Sequence, residues 1–223
     1  MRIITWNCCR RTYANARQAL APLCGDFVFL QEVGRPTNSD RATVWAGTNP
    51  KQGVLTAAVD ARLALQSGKP SMTRHRPVAV SGSSRFLALN VWAQRSPSYV
   101  GDVNRTLTRF RRVLAGRLCV IAGDFNSEGP QRDDDKPHHT RLVGRLRDEF
   151  GVVSAYHQRY GVPHGQEAHP TYYHQRHLDD PRHIDFCFIP QPWASRIVRV
   201  EVVDGEPWSA LSDHRPLLVD VEL

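Results

Sequence analysis

The sequence lacks any long hydrophobic run. No apolar stretch approaches the roughly 18 residues that a membrane-spanning helix needs. Residues 1–7 have the pattern of a strand, without the long apolar run and the small-residue cleavage site of a signal peptide. We therefore predict a protein without a membrane span that resides in the cytoplasm. No repeat at a period of about 20–50 residues is present either, which excludes a solenoid.

Cysteine is scarce and unevenly placed. The five cysteines are Cys8, Cys9, Cys24, Cys119 and Cys187. An odd number without regular spacing argues against a disulfide framework and favours a reducing compartment. We expect these side chains to act as small buried apolar groups.

The composition is that of a folded protein with an excess of positive charge. The 223 residues include 41% hydrophobic and 23% charged residues, which is typical of a folded chain, and we predict a single domain over 1–223 that acts as a monomer. Lysine and arginine number 29 against 22 aspartates and glutamates, a formal charge of +7. This balance favours anionic partners, with nucleic acid first and phosphorylated small molecules second.

Short apolar, β-branched runs alternate along the chain with helical patterns. We predict strands at 2–6, 27–31, 53–59, 86–92, 118–122, 184–189, 197–203 and 216–222, and helices at 12–23, 102–115 and 139–150. The runs at 118–122 and 184–189 are apolar at nearly every position, so those strands should be buried on both faces. The pattern predicts an α/β fold in which two mixed β-sheets pack together with helices outside.

Polar side chains stand where the predicted strands begin or end. They are Asn7, Glu32, Asn90, Asp124, Asn126, Asp185, Asp213 and His214. Side chains at strand ends can converge on one rim of the molecule. Carboxylate and amide oxygens brought together there form the kind of site that Mg²⁺ or Mn²⁺ prefers.

Asp185 is the most informative of these residues. It lies within an apolar strand, where a carboxylate is costly unless it is paired or hydrogen-bonded. His214 is the candidate partner, because an acid beside an imidazole orients the ring and favours its charged form. The segments Gly123–Asn126 and Ser212–His214, taken singly, are also compatible with ordinary turns.

Taken in order, these segments resemble the endonuclease/exonuclease/phosphatase superfamily, which includes DNase I, exonuclease III and sphingomyelinase-type enzymes. The matching segments are Thr5-Trp6-Asn7, Leu30-Gln31-Glu32, Leu89-Asn90-Val91, Gly123-Asp124-Phe125-Asn126, His183-Ile184-Asp185-Phe186 and Ser212-Asp213-His214. The resemblance is to the compact bacterial branch and spans positions 5–214. It implies a four-layer α/β sandwich and metal-dependent cleavage of phosphate esters.

The resemblance also implies roles for the residues that bind the metal ion and the attacking water. Glu32 matches the family's principal metal ligand, with Asn7 and Asp213 beside it, and the implied ion is Mg²⁺ or Mn²⁺. Asp124 matches the residue that orients or deprotonates the attacking water, and Asn126 matches the amide that holds the phosphate or that water.

The resemblance also implies which residues contact the phosphate of the substrate. His214, polarised by Asp185, matches the residue that contacts the scissile phosphate and stabilises its developing charge. Trp92 occupies a position where many relatives carry a histidine, so the contribution from this strand differs. The expected substrate contacts are Asn90, Trp92, Arg10, Tyr172 and His174.

Histidines are concentrated between 157 and 183, most of them within a long predicted loop at 161–182. A zinc site is one interpretation, helped by the three-residue step from His174 to His177, although no helix is predicted to carry that pair. Contacts to substrate phosphates and scattered surface histidines are the other interpretations. The acidic run Asp133-Asp134-Asp135 is expected to be a solvated turn.

Three functions are compatible with these features. The first is a divalent-metal-dependent nuclease acting on DNA or RNA, favoured by the positive charge. The second is a phosphatase or phosphodiesterase for a small ester such as a nucleotide, a phospholipid head group or a sugar phosphate. The third is a catalytically inactive binding module, which the presence of every expected carboxylate disfavours.

Overall fold

Two six-stranded β-sheets pack face to face in the computed structural model, which describes residues 1–38, 41–66, 74–129 and 138–223. The strands are β1 Arg2–Asn7, β2 Phe27–Val33, β3 Thr43–Asn49, β4 Gln52–Ala58, β5 Ala61–Leu65, β6 Pro77–Gly82, β7 Phe86–Trp92, β8 Cys119–Asp124, β9 Val152–Ser154, β10 Tyr172–Tyr173, β11 Pro181–Arg182, β12 Asp185–Pro190, β13 Ile197–Val202 and β14 Leu217–Val221. The helices are α1 Tyr13–Leu20, α2 Tyr99–Leu114, α3 His139–Phe150, α4 Ala155–Tyr160 and α5 Trp208–Leu211.

Both sheets are mixed. The first has the order β13-β14-β1-β2-β4-β3, and the second has the order β5-β6-β7-β8-β12-β9. The pairs β1–β2 and β7–β8 are parallel, whereas the other neighbours within each sheet are antiparallel. Strands β10 and β11 form a separate small ribbon.

The apolar side chains form three layers of core. Between the sheets, Phe29 of β2 lies in the same buried cluster as Ala122 of β8. Outside the second sheet, Leu107 of α2 and Leu146 of α3 cover its other face. Outside the first sheet, a third cluster includes Trp208 of α5 and residues of α1. Because strand side chains alternate between faces, each sheet buries both of its faces, and the predicted four-layer α/β sandwich is confirmed.

All the predicted strands and helices are present, with ends that differ by a few residues. Several elements were not predicted, among them β3, β5, β6, β9 and α4. Strand β3 lies at a sheet edge and is only partly buried, so its sequence lacks the apolar signal of the central strands. The acidic run Asp133-Asp134-Asp135, expected to be a solvated turn, lies outside the described residues.

No helix in the described part of the chain is long and apolar enough to cross a bilayer. All five cysteines are free thiols, and three of them, Cys8, Cys119 and Cys187, are buried. Burial raises the pKa of each of these three thiols to about 12, so they remain protonated.

Candidate active site

The rim of the sandwich collects side chains from the ends of three central strands. Asn7 ends β1, Asp124 ends β8 and Asp185 begins β12. Asp124 and Asp185 are direct partners across the antiparallel β8–β12 pair. Alternate residues of a strand line the same face of its sheet. Asn7 is on the face of β1 that carries Ile3, and Asp124 is on the face of β8 that carries Ala122, and both of these apolar residues lie in the core between the sheets. The three polar side chains therefore turn toward the same space. The expected convergence of these residues is confirmed.

Glu32 reaches this rim through an irregularity in β2. The register with β4 shifts between Gln31 and Val33, so Glu32 is the additional residue of a β-bulge, and its φ is 55°. The bulge returns Val33 to the outer apolar cluster. It also brings the Glu32 carboxylate to the side chain of Asn7, whose amide nitrogen donates a hydrogen bond of 3.3 Å to Oε1.

Asn7 connects two carboxylates. Its Nδ2 donates to Oδ2 of Asp124 at 3.0 Å as well as to Glu32, and its Oδ1 accepts a hydrogen bond from the backbone N–H of Cys9 at 3.1 Å. With both ends of its amide engaged, Asn7 acts as the residue that orients Glu32 and Asp124. This arrangement favours a positioning role over the predicted role of direct metal ligand.

Asp124 is held by the turn that follows β8. The backbone N–H of Asn126 donates to Oδ1 and its Nδ2 donates to Oδ2, both at 2.9 Å, with Asn126 at a φ of 49°. Gly123 has a φ of 143°, and a Cβ there would lie 1.9 Å from the carbonyl oxygen of Val91, so only glycine fits. Burial raises the pKa of Asp124 to about 7, against the opposing effects of His214 and the amide donors.

His214 lies between two aspartates. Its Nδ1 is 2.8 Å from Oδ2 of Asp185, and its Nε2 is 4.0 Å from Oδ2 of Asp124. Burial alone lowers the pKa of this imidazole, but the charge and hydrogen bond of Asp185, together with the charges of Asp124 and Asp213, raise it to about 9. The imidazole is therefore cationic at neutral pH. The predicted pairing of His214 with Asp185 is confirmed.

Two hydroxyl groups that the sequence analysis did not single out hold these residues in place. Ser212 Oγ donates to the backbone carbonyl of Asn7 at 2.8 Å and accepts from the backbone N–H of His214 at 3.0 Å. Thr171 Oγ1 accepts from the backbone N–H groups of Ile184 and Asp185, both at 3.0 Å. Ser212 lies within one of the matching sequence segments, but only the folded backbone assigns the partners of the two hydroxyls.

Three of the expected substrate contacts lie close to the opening of the site. The ring of Tyr172 is 4.6 Å from that of His214, and its hydroxyl is 2.9 Å from Nδ1 of the exposed His174. Arg10 has a φ of 63°, and its largely exposed side chain places Nε 3.7 Å from Oε2 of Glu32. These residues are available to an incoming anion.

The prediction that Asn90 contacts substrate is wrong. Its side chain is 2% exposed, and its Nδ2 donates to the backbone carbonyls of Leu30 and Leu55 in the first sheet. Its Oδ1 accepts a hydrogen bond of 2.8 Å from Nε2 of Gln31. Asn90 points between the sheets one step below the rim, so its amide links the two sheets.

Trp92 also differs from its expected role as a direct substrate contact. Its side chain is buried, and the guanidinium of Arg74 lies 4.9 Å from the centre of its ring. His75 lies beside it, with Nε2 at 2.9 Å from the Trp92 carbonyl oxygen. Trp92 therefore packs against Arg74 at the end of β7, level with Asp124 in the neighbouring strand. No motif in the sequence signals Arg74 and His75, which come from the segment before β6.

The donor atoms at this rim suit a hard divalent cation. Glu32 and Asp213 are partly exposed, and Asp124 and Asp185 are buried, so carboxylates outnumber the cationic groups His214 and Arg10. Oδ1 of Asp185 is buried and has no hydrogen-bond partner among the residues that the structure describes. Ionised oxygen ligands in surplus are the set that Mg²⁺ or Mn²⁺ prefers, so the residues fit the metal that the sequence predicts.

Solved structures similar to this chain include the following three, each of which covers the chain from end to end. A 3′ phosphatase, NExo, from Neisseria bound to a product DNA hairpin is 21% identical, with 100% of both chains covered and a TM-score of 0.70. The endonuclease domain of TRAS1, a telomere-specific non-LTR retrotransposon, is 15% identical, with 100% of this chain and 98% of that chain covered and a TM-score of 0.70. An AP endonuclease from Archaeoglobus fulgidus is 18% identical, with 100% of both chains covered and a TM-score of 0.66.

These likenesses establish the fold, which is that of exonuclease III-like and DNase I-like enzymes. No protein-family model and no curated protein matches the sequence.

Proposed function

We propose that this protein is a divalent-metal-dependent phosphodiester hydrolase that cleaves nucleic acid. The observation that carries the proposal is the placement of Asp124 and His214. A carboxylate with a pKa of about 7 and an imidazole with a pKa of about 9 face each other at 4.0 Å where the two sheets end. A base and a cation at this separation supply the two groups that attack on a phosphate requires.

Asp124 is the proposed base. A pKa near the working pH is favourable for a group that must be ionised before the reaction and accept a proton during it. As a water oxygen bonds to phosphorus and the ester P–O bond breaks, the proton of that water passes to the Asp124 carboxylate. Asn126 and Asn7 hold both carboxylate oxygens, so the base enters the reaction already oriented.

His214 is the proposed electrostatic stabiliser. Asp185 accepts the Nδ1–H hydrogen bond, which leaves Nε2–H directed to the side where Asp124 lies. A cationic donor fixed in a buried site strengthens its interaction with the nonbridging phosphate oxygens as negative charge develops on them. Tyr172, packed on the imidazole ring, limits the positions that the ring can adopt.

Glu32 and Asp213 are the proposed ligands of the divalent ion, with Asn7 orienting Glu32. When bound, Mg²⁺ or Mn²⁺ supplies positive charge that offsets the charge of the phosphate and of the leaving oxygen. The amide nitrogen of Asn7 donates hydrogen bonds to both Glu32 and Asp124, so the proposed metal ligand is held next to the proposed base.

A nucleic acid is the favoured substrate because the chain is strongly basic and an exposed arginine lies at the opening. The net charge is +7, and the largely exposed Arg10 lies beside Glu32. Arginine binds phosphate through several parallel N–H donors. The NExo neighbour is bound to a product DNA hairpin in its structure, which supports DNA among the candidate polymers.

Removal of a terminal phosphate from DNA is the second candidate. The NExo neighbour is a 3′ phosphatase, and the same base, cation and metal ligands would serve a phosphate monoester at a strand end. The small-ester alternative from the sequence has no comparable support. Cytoplasmic location and a monomeric state remain predictions.

The proposal is tested by incubating the protein with labelled single- and double-stranded DNA, RNA and a 3′-phosphorylated oligonucleotide in Mg²⁺ and in Mn²⁺. Chelator serves as the blank, and a chromogenic phosphate monoester represents small esters. Cleavage of a polymer that weakens steeply with salt supports a nuclease, since each phosphate contact releases bound counterions. Hydrolysis of the small ester alone, or of no substrate, contradicts it.

A further inference from the structure

Arg74 lies beside the end of β7 because of the way the chain enters β6. Strands β6 and β7 are antiparallel, and Pro77 of β6 pairs with Leu89 of β7. Arg74 stands three residues before Pro77, and Trp92 stands three residues after Leu89, so the continued register sets Arg74 opposite Trp92. The backbone N–H of Trp92 donates to Nε2 of His75 at 3.0 Å, which holds the entering segment against the end of β7.

The side chain of Arg74 turns toward the space between the two sheets. His75 turns the other way, because its Nδ1 lies 3.0 Å from Oγ1 of Thr106 on α2, outside the second sheet. Successive side chains of an extended segment alternate, so Arg74 points inward. Trp92 is on the face of β7 that carries Ala88, which lies in the core between the sheets. The two side chains meet there, with Cζ of Arg74 4.9 Å from the centre of the Trp92 ring.

One strand separates Arg74 from the proposed base. The sheet order is β6-β7-β8-β12, and Trp92 pairs with Asp124 of β8. Neighbouring strands are about 4.8 Å apart, so the backbone of Arg74 lies roughly 10 Å from that of Asp124. Asp185 and its partner His214 lie on the other side of Asp124, toward β12. A phosphate held between Asp124 and His214 therefore leaves Arg74 beside the next phosphate of a strand that continues toward β7.

The guanidinium of Arg74 is available to an anion. The side chain is half-buried, and its Nε is buried with no hydrogen-bond partner in the described part of the chain. The carboxylate of Asp102 lies on the outer side of the same segment, 3.8 Å from His75 and 3.0 Å from Arg105. A partly buried cation without an acid beside it gains strongly from an anionic ligand. The Trp92 ring supports one face of the guanidinium plane and leaves the N–H donors at its edge for phosphate.

We propose that Arg74, stacked on Trp92, binds the phosphate next to the scissile one, on the β7 side of the site. This inference rests on the proposed function and adds a substrate-binding residue to the same site. Trp92 acts through Arg74 as its platform, and neither residue takes part in bond cleavage. A substrate must therefore carry a second phosphate before it gains from Arg74.

The test compares two substrates that differ in the presence of a neighbouring phosphate. One is a labelled single-stranded oligonucleotide, and the other is the p-nitrophenyl ester of thymidine 5′-phosphate, which has a single phosphate. Binding of the oligonucleotide is measured by fluorescence anisotropy in chelator over a series of salt concentrations. Cleavage of both substrates is measured in Mg²⁺, and thermal unfolding is followed by circular dichroism.

The variants are Arg74→Gln, which removes the charge, and Arg74→Lys, which keeps the charge without the planar donors. The matched control is Arg62→Gln. Arg62 is an exposed arginine of β5 that pairs with Ser81 near the far end of β6.

We expect Arg74→Gln to weaken oligonucleotide binding about 10- to 100-fold, the effect of losing a charge-assisted hydrogen bond. The slope of log affinity against log salt concentration should become shallower by about 0.7, the value for one phosphate contact on a single strand. Arg74→Lys should keep the wild-type slope and recover part of the affinity. Hydrolysis of the single-phosphate ester should be unchanged in both variants, and Arg62→Gln should match the wild type throughout.

The outcomes separate this inference from the proposed function. A wild-type protein that binds and cleaves the oligonucleotide, with Arg74→Gln equal to it, overturns the role of Arg74 alone. Equal losses of Arg74→Gln on both substrates, with a lower melting temperature, assign Arg74 to packing and overturn the role as well. Weaker binding by Arg74→Gln supports the phosphate contact even when the wild type cleaves nothing. A wild type that neither binds nor cleaves the oligonucleotide overturns both.

Discussion

Nδ1 of His214 lies 2.8 Å from Oδ2 of Asp185, and both side chains are almost completely buried. The interaction joins the start of β12 to the segment before β14, so it links the second sheet to the first. An imidazole at this depth would be neutral without the acid beside it, because burial alone lowers its pKa. Asp185 makes the largest opposing contribution, so the charge of His214 depends mainly on this one residue.

Replacement of Asp185 by asparagine should remove the positive charge on His214. We expect kcat to fall about 100- to 1000-fold, the cost of losing one preorganised electrostatic group. In NMR titrations of the metal-free protein, the pKa of His214 should fall well below about 9. Asp180→Asn, which alters a partly exposed carboxylate, is the control. A variant with normal kcat and an unchanged His214 pKa would contradict this role.

Arg10 should contribute to phosphate binding without taking part in the chemical step. We expect Arg10→Ala to raise KM for an oligonucleotide severalfold with little change in kcat, and to reduce the slope of log affinity against log salt concentration by about one. The control is Arg117→Ala, an exposed arginine that precedes β8 at the end opposite Asp124. An equal effect of both substitutions would show that only net charge matters.

Asn90 should stabilise the fold rather than bind substrate. Asn90→Ala leaves buried groups of Gln31, Leu30 and Leu55 without their partner. We expect the free energy of unfolding, measured by urea denaturation, to fall by about 1–3 kcal/mol, with KM unchanged in the folded protein. A large rise in KM at wild-type stability would restore the substrate contact that the sequence predicted.

The buried histidines should make the metal-free protein sensitive to acid. The pKa of His139 is lowered from 6.5 to about 4, so its contribution to stability is present above pH 6.5 and is lost as the pH falls toward 4. His164, with a pKa of about 3, acts in the same direction. We expect about 1–2 kcal/mol per histidine to be lost between pH 7 and pH 5 in urea unfolding. His139→Gln should show a smaller loss, and an equal or larger loss would contradict the assignment.

The sequence predicted the features that depend on periodicity and on unsatisfied charge. Asp185 within an apolar strand required a partner, and His214 is that partner. The alternation of side chains explains why Asn90 was misassigned, because a strand residue that faces inward reaches the rim only at the very end of its strand. Asn7, Asp124 and Asp185 occupy such ends, whereas Asn90 lies two residues earlier in β7 than Trp92.

Features that depend on local irregularity or on distant segments were not predictable. The bulge that turns Glu32 to the rim has no glycine to mark it. Arg74 and His75 come from a segment without a motif, and only tertiary packing brings them to Trp92.

The central claim, that Asp124 serves as the base in metal-dependent cleavage, is tested most directly by single-turnover hydrolysis of a labelled oligonucleotide in Mg²⁺. Wild type is compared with Asp124→Asn and with Asp148→Asn, which alters an exposed carboxylate on α3. We expect Asp124→Asn to be about 100- to 10,000-fold slower while still binding the oligonucleotide, and Asp148→Asn to match wild type. Cleavage by Asp124→Asn at the wild-type rate, or an undiminished wild-type rate in chelator, would contradict the account.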